Sequence, residues 1–369
     1  MSKTRLLFID NLRIVLTALV VLHHLAITYG APGGWYYNES QAEFPAIIPM
    51  AMFVASNQAF FMGMFFFISA FFIVPSLQRK GTKRFISDRL IRLGLPTLLF
   101  YFLVSPFTVF IRDRFIEHQD ISFVELLQKG WGMSFGPMWF VEALLLFTVV
   151  YLLFRKLISK IKLSFPSTLQ IILAALTVGL GQFLIRIEIP VGVSHEFTNF
   201  QFPFFLQYVF LFPLGIIAWQ NNWMDAVNSK MGWRWFVFAQ VLILVGFPIL
   251  FILGGATEMG TGAFMGGLTW QCFAYAVWEQ LLCFALIIGL LGIFKKRLNR
   301  QGEFARQLSG SAYGTYVFHT PILVAISALF LDFQIPQILK LIVLAPITLV
   351  ACFGFAWLVK QMPGVKNVL

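Results

Sequence analysis

The chain has 369 residues, 59% of them hydrophobic and only 12% charged, with a mean hydropathy of +0.81. A soluble domain of this size is never so apolar, and long uncharged runs recur from end to end, so the sequence predicts an all-α, polytopic membrane protein. The formal net charge of +11 requires no nucleic-acid partner, because the basic residues gather in loops on one side of the membrane.

Ten runs of spanning length are predicted, at 8–29, 46–75, 90–111, 138–154, 169–185, 204–219, 236–253, 270–294, 312–331 and 338–359. Together they form one bundle, and residues 1–369 are expected to be a single transmembrane domain. The first run is not a cleavable signal peptide: Asp10 and Arg13 lie in its first half, and no small-residue cleavage site follows cleanly. It also holds His23 and His24. Ionisable groups at membrane depth are costly and face protein or a wet cavity, so this helix is expected to wall a site. Arg13 and His24 are 11 residues apart, which at about 100° per residue puts them on one face, roughly 16 Å apart along the axis. Asp10 sits one turn before Arg13 on nearly the same face. His23 points about 100° away from His24.

The loop that follows, GAPGGWYYNESQAEFP, carries aromatics, Glu39 and Glu43 but no basic residue. It reads either as an interfacial aromatic belt or as a lip for a sugar-like acceptor. The second run is long for one straight helix, and Ser56, Asn57 and Gln58 are expected to mark a break. A basic loop then leads into DRLIRLGLP. Arg89 and Arg92, three apart, are expected as neighbours on one face, and Pro96 loosens the helix because it cannot donate to the Arg92 carbonyl. Adjacent guanidiniums suit phosphate, although anchoring at the membrane surface explains them too.

The fourth run opens GPMWFVEALLLF, with Trp139 at the interface and Glu142 one turn inside. Arg186 counts with the outer loops. In the eighth run Glu279 lies 15 residues before Phe294, about 22 Å from the inner edge. His24 lies 14 residues after Asp10, about 21 Å deep by the same rise. The two are therefore expected to meet, with Glu279 holding the His24 imidazole in one tautomer as a general base. The ninth run reads SAYGTYVFHTPIL. His319 is expected to bond the carbonyl that Pro321 frees, as structural or substrate support alongside Tyr316 and Trp139.

Of the 27 Lys and Arg residues, 22 fall with the N-terminus and every second loop and 5 on the other side. This asymmetry predicts both termini in the cytoplasm. Cys272, Cys283 and Cys352 sit in apolar surroundings and read as core. No metal cluster, Gly-rich phosphate loop or G-x-S-x-G elbow is visible, so direct base-assisted transfer is simpler than a covalent enzyme intermediate.

Taken in order, these pieces resemble acyltransferase family 3, the bacterial integral-membrane O-acyltransferases of surface glycans, lipids and small molecules. Asp10, Leu12-Arg13 and His24 are similar to the family's opening pattern, a register that selects His24 over His23. Arg89, Arg92 and Pro96 are similar to its R-x-x-R, Trp139-Phe140 to its Trp-Phe pair, and Tyr316 with His319 to its Tyr-x-x-His. One departure is Ala70 within Phe67-Ile68-Ser69-Ala70-Phe71, where the family often has Gly. The resemblance covers nearly the whole chain. It implies an acyl-coenzyme A donor, acetyl by preference, as a substrate and not a permanently bound cofactor. It implies Arg13, Arg89 and Arg92 as its phosphate contacts, His24 as the base, a glycan or lipid hydroxyl as acceptor, and residence among the lipids of the bacterial inner membrane. A rival of a different class, a proton-coupled exporter of a small polar or lipid-linked substrate, predicts inverted repeats. No internal similarity links residues 1–162 with 163–369.

Overall fold

A computed structural model describes residues 6–368. Lys3 and Arg5, counted with the basic side, lie outside the described residues. Among the described residues there are ten helices long and apolar enough to cross a membrane, and no strand. They are α1 (Leu7–Thr28), α2 (Ile47–Lys80), α3 (Thr82–Ile116), α4 (Gly136–Ile158), α5 (Thr168–Glu188), α6 (Phe202–Gln220), α7 (Ser229–Leu253), α8 (Trp270–Arg297), α9 (Glu303–Leu329) and α10 (Gln337–Lys360). The protein is a polytopic membrane bundle, as its composition requires.

Polar caps start several of these helices. Ser167 and Gln170 form a capping box at α5, Asn228 accepts from the Met231 amide at α7, and Thr269 accepts from the Cys272 amide at α8. Helix α8 is the pillar: it packs on α1, α2, α5 and α7. In its most apolar stretch 72% of residues are buried, against 11% in α7. So α7 presents most of its surface to lipid and holds α8 along one narrow line. There Gly232 meets Gly292 backbone to backbone, with a Cβ on Gly232 placed 2.8 Å from the Gly292 Cα. Small residues allow this approach, and close packing replaces the hydrophobic effect that lipid cannot supply. Helix α1 is inserted among α2, α8, α9 and α10, which puts its polar residues inside the protein.

Two expected breaks come out differently. The α2 helix runs unbroken through Ser56, Asn57 and Gln58 and is interrupted instead at Phe72. Ser56 and Asn57 are buried, so they face the bundle and have no reason to end the helix. The loosening at Pro96 is a π-helical turn over Leu90–Gly94, with the Leu95 amide bonded back to the Leu90 carbonyl. The same device recurs before Pro106, over Phe100–Val104, and before Pro248, over Leu242–Gly246. Proline cannot donate and its ring crowds the preceding turn, and a widened turn relieves both. The hydroxyls of Thr97 and Thr108 add bonds to the carbonyls of Leu93, at 2.8 Å, and Val104, at 2.7 Å.

Candidate active site

A cavity of about 810 Å3 opens among the loops on the face opposite the basic loops. Four loops supply its rim: the first with Trp35 and Tyr36, then those bearing Ser134, Asn199 and Thr261. Its inner wall is made by α1, with Val20, His23 and His24, by Met62 of α2, Trp139 of α4, Tyr275 of α8 and Tyr316 of α9. Tyr36 is a neutral polar group on this rim. Burial pushes its hydroxyl up to about 12, and that hydroxyl lies 2.8 Å from the Ser105 hydroxyl. The Arg112 side chain, also in the wall, is compensated by Asp113 at 2.7 Å and Glu117 at 3.2 Å. The cavity therefore offers aromatic faces, hydroxyls and amides with little net charge.

His24 reaches this cavity held on two sides. Its ring stacks on Trp35, with centroids 3.7 Å apart and planes 14° from parallel. Its Nδ1 lies 3.1 Å from Nε2 of His319, and Nδ1 of His319 lies 2.7 Å from the Tyr316 carbonyl oxygen. A carbonyl can only accept, so His319 Nδ1 carries a proton. In a neutral imidazole Nε2 must then accept, and His24 Nδ1 donates to it. Neutral His24 is left with an unprotonated Nε2, a base at the cavity wall. His319 thus bonds the Tyr316 carbonyl and not the one freed by Pro321, and it also supports His24. The Tyr316 hydroxyl donates to the Pro137 carbonyl, which ties α9 to the start of α4.

A family model described as "Acyltransferase domain" matches residues 6–359. The chain belongs to acyltransferase family 3. No curated protein and no solved structure matches it. The fold and the family together make the protein a membrane acyltransferase, using a donor of the acyl-coenzyme A kind.

Other residues singled out in the sequence of this acyltransferase lie elsewhere. Glu279 does not orient His24. Its carboxylate is 2.5 Å from the Arg186 guanidinium, and both side chains are buried between α5 and α8. Arg186 also donates to the Pro203 carbonyl at 3.3 Å and lies over the Phe204 ring at 4.9 Å. Equal depth was the only ground for pairing Glu279 with His24, and depth says nothing of direction around the bundle. Glu142 stands half-buried in the first turn of α4, outside the cavity lining. Trp139 is not a belt residue: it is buried, 5.6 Å from the Tyr208 ring, and walls the cavity.

The basic group divides in two. Arg13 is 3.4 Å from Asp10 and lies over the Phe72 ring at 5.1 Å. Arg89, over Phe85 at 5.3 Å, is close enough to feel the Arg13 charge. Arg92 is not beside Arg89, because the π turn that starts at Leu90 spreads the two. It is exposed, within electrostatic reach of Asp88 and Lys360. None of the three arginines lines the cavity. Between Arg13 and His24, the same face of α1 carries Leu16, Thr17 and Val20, all buried.

Sequence reasoning missed Trp35 as a partner of His24, and Arg186 as a buried ion. Arg186 had a signal: Glu279 and Arg186 are lone opposite charges in apolar helices, and such charges pair.

Proposed function

We propose that this acyltransferase moves an acyl group, acetyl by preference, from acyl-coenzyme A on the basic side to a hydroxyl of a surface glycan, lipid or small molecule that enters through the cavity. The observation that carries this reading is the order Tyr316 carbonyl, His319, His24, which leaves the His24 Nε2 lone pair at the cavity wall. The acceptor O–H proton passes to Nε2 as its oxygen bonds to the thioester carbonyl carbon. The C–S bond then breaks, and the imidazolium returns the proton to the thiolate. The products are an ester and free coenzyme thiol, with no net proton taken up.

On the donor side, Arg13 and Arg89 would contact the coenzyme's phosphates, with Arg92 and Lys360 widening the basic mouth. A pantetheine arm of about a dozen backbone bonds spans roughly 15 Å, close to the Arg13-to-His24 rise. To reach His24 the arm parts the Leu16, Thr17 and Val20 face of α1 from its neighbours. The basic loops then lie in the cytoplasm with both termini, residues 1–369 act as one catalytic unit, and the membrane is the bacterial inner membrane. The acceptor leaves acylated on the far side and the coenzyme never crosses.

The test of function is mass spectrometry of surface glycans and lipids from cells with and without the gene. An ester that disappears with the gene and returns with the parent protein, but not with His24→Ala, supports the reading; identical ester profiles sink it. For the donor site, Arg89→Ala should raise the KM for acetyl-coenzyme A about tenfold, the loss of one charge-assisted contact of about 1.5 kcal/mol, with kcat changed little. An unchanged KM would return Arg89 to a topological role.

A further inference from the structure

The segment that carries Trp35 onto His24 is pinned at one point. Residues 29–46 leave α1, and Gly30, at φ 117°, turns the chain back so closely that a Cβ there would sit 2.7 Å from the Ala42 nitrogen. The Glu39 amide donates to the Thr28 carbonyl at 2.9 Å, and the Ala42 amide to the Gly30 carbonyl at 3.0 Å. The Glu39 carboxylate then receives Lys340 of α10, with Nζ 2.9 Å from both oxygens. Lys340 is fully buried, and its ammonium also lies over the Tyr29 ring at 5.4 Å. Gln337 adds a bond to the Ser40 hydroxyl at 2.7 Å.

A lysine buried near the end of a membrane helix is costly unless paired, and an exposed position close by would spare that cost. The acyl-transfer steps do not use this pair. What it fixes is the path of the loop, and four residues before Glu39 that loop lays Trp35 flat on the His24 ring. We propose that the Glu39–Lys340 pair is a clasp that holds Trp35 against His24, which makes Trp35, Glu39 and Lys340 positioning residues for the transfer reaction. The inference rests on His24 being the base. The stack removes the rotamer freedom that would swing Nε2 away from the acceptor, and its π face favours the imidazolium that forms as the hydroxyl proton is taken. The clasp lies on the face opposite the arginines, so its loss should slow turnover and leave donor affinity alone.

The experiment uses full-length protein in membrane vesicles. The probe is acetyl-labelled acetyl-coenzyme A, with envelope glycan and lipid extract as acceptor, and the readout is ester-bound label. The double variant Glu39→Gln/Lys340→Met leaves no orphan charge. It should lower kcat at least tenfold with the donor KM within twofold of parent. Trp35→Leu should do the same, and Trp35→Phe, which keeps an aromatic face, should recover at least a third of parental kcat. A folded double variant, or Trp35→Leu, with kcat within twofold of parent overturns the clasp. So does a loss in Trp35→Phe equal to that in Trp35→Leu. His24→Ala is run in parallel. If it retains transfer, the underlying reading fails; if it is inactive while the double variant is not, only the clasp fails.

Discussion

His24→Ala should lower kcat by about 10²–10⁴-fold, the range expected when a positioned general base is removed, while the donor KM stays near parental. The effect belongs to kcat because Nε2 acts on the proton in flight and not on the bound coenzyme. Single-turnover transfer of label from acetyl-coenzyme A measures it, and free imidazole should restore part of the rate by diffusing into the cavity of about 810 Å3. His319→Ala should cost less, about 10–100-fold, since it deletes the acceptor that keeps the His24 Nδ1 proton in place without deleting the base. His23→Ala should stay within tenfold of parent, because its ring packs on Phe61 at 5.2 Å and its Nδ1 has no partner among the described residues. If His24→Ala and His23→Ala lose equal amounts, the assignment of the base is wrong.

Glu279→Leu should destabilise the protein by about 3–5 kcal/mol, the cost of leaving one member of a buried ion pair alone. The Arg186 guanidinium, held at 2.5 Å from the carboxylate, would be stranded between α5 and α8, with only the Pro203 carbonyl and aromatic rings around it. Arg186→Met should behave similarly. The double variant Glu279→Leu/Arg186→Met should recover most of the loss, since two apolar side chains can replace a buried pair at little net cost. Thermal unfolding in detergent, followed by the fraction remaining monodisperse, separates these outcomes. A single variant that melts with the parent but loses transfer would instead return Glu279 to the chemistry, which the observed pairing argues against.

The number of helices and their alternation were legible because both are set by composition: lipid demands long apolar runs and sorts basic residues to one side. His24 and His319 could be singled out for the same reason, as ionisable groups where they are expensive. Their pairing across 295 positions was not legible, since periodicity fixes depth along an axis but not which neighbour a face meets. That gap explains Glu279, matched to His24 by depth alone, whose partner turned out to be Arg186. It also explains Trp35, which looked like one aromatic of an interfacial belt. Nothing in a loop's composition says that Gly30 will fold it back over the end of its own helix. Arg89 and Arg92 show a different limit. Their spacing predicts neighbours in a regular helix, and the proline that makes the helix irregular stands downstream of both.

The widened turns of α3 carry a consequence for how this gene can vary. Each fits more residues into a turn than regular winding does, so the number of residues between Arg89 and the cavity is tuned to the bulges. A single-codon deletion within Leu90–Gly94 would let the helix rewind normally, yet it would swing everything after it by about 100°. Ser105 and Arg112, which now face the cavity, would be carried round toward lipid or a neighbouring helix. The third helix should therefore accept many changes of letter and almost none of length.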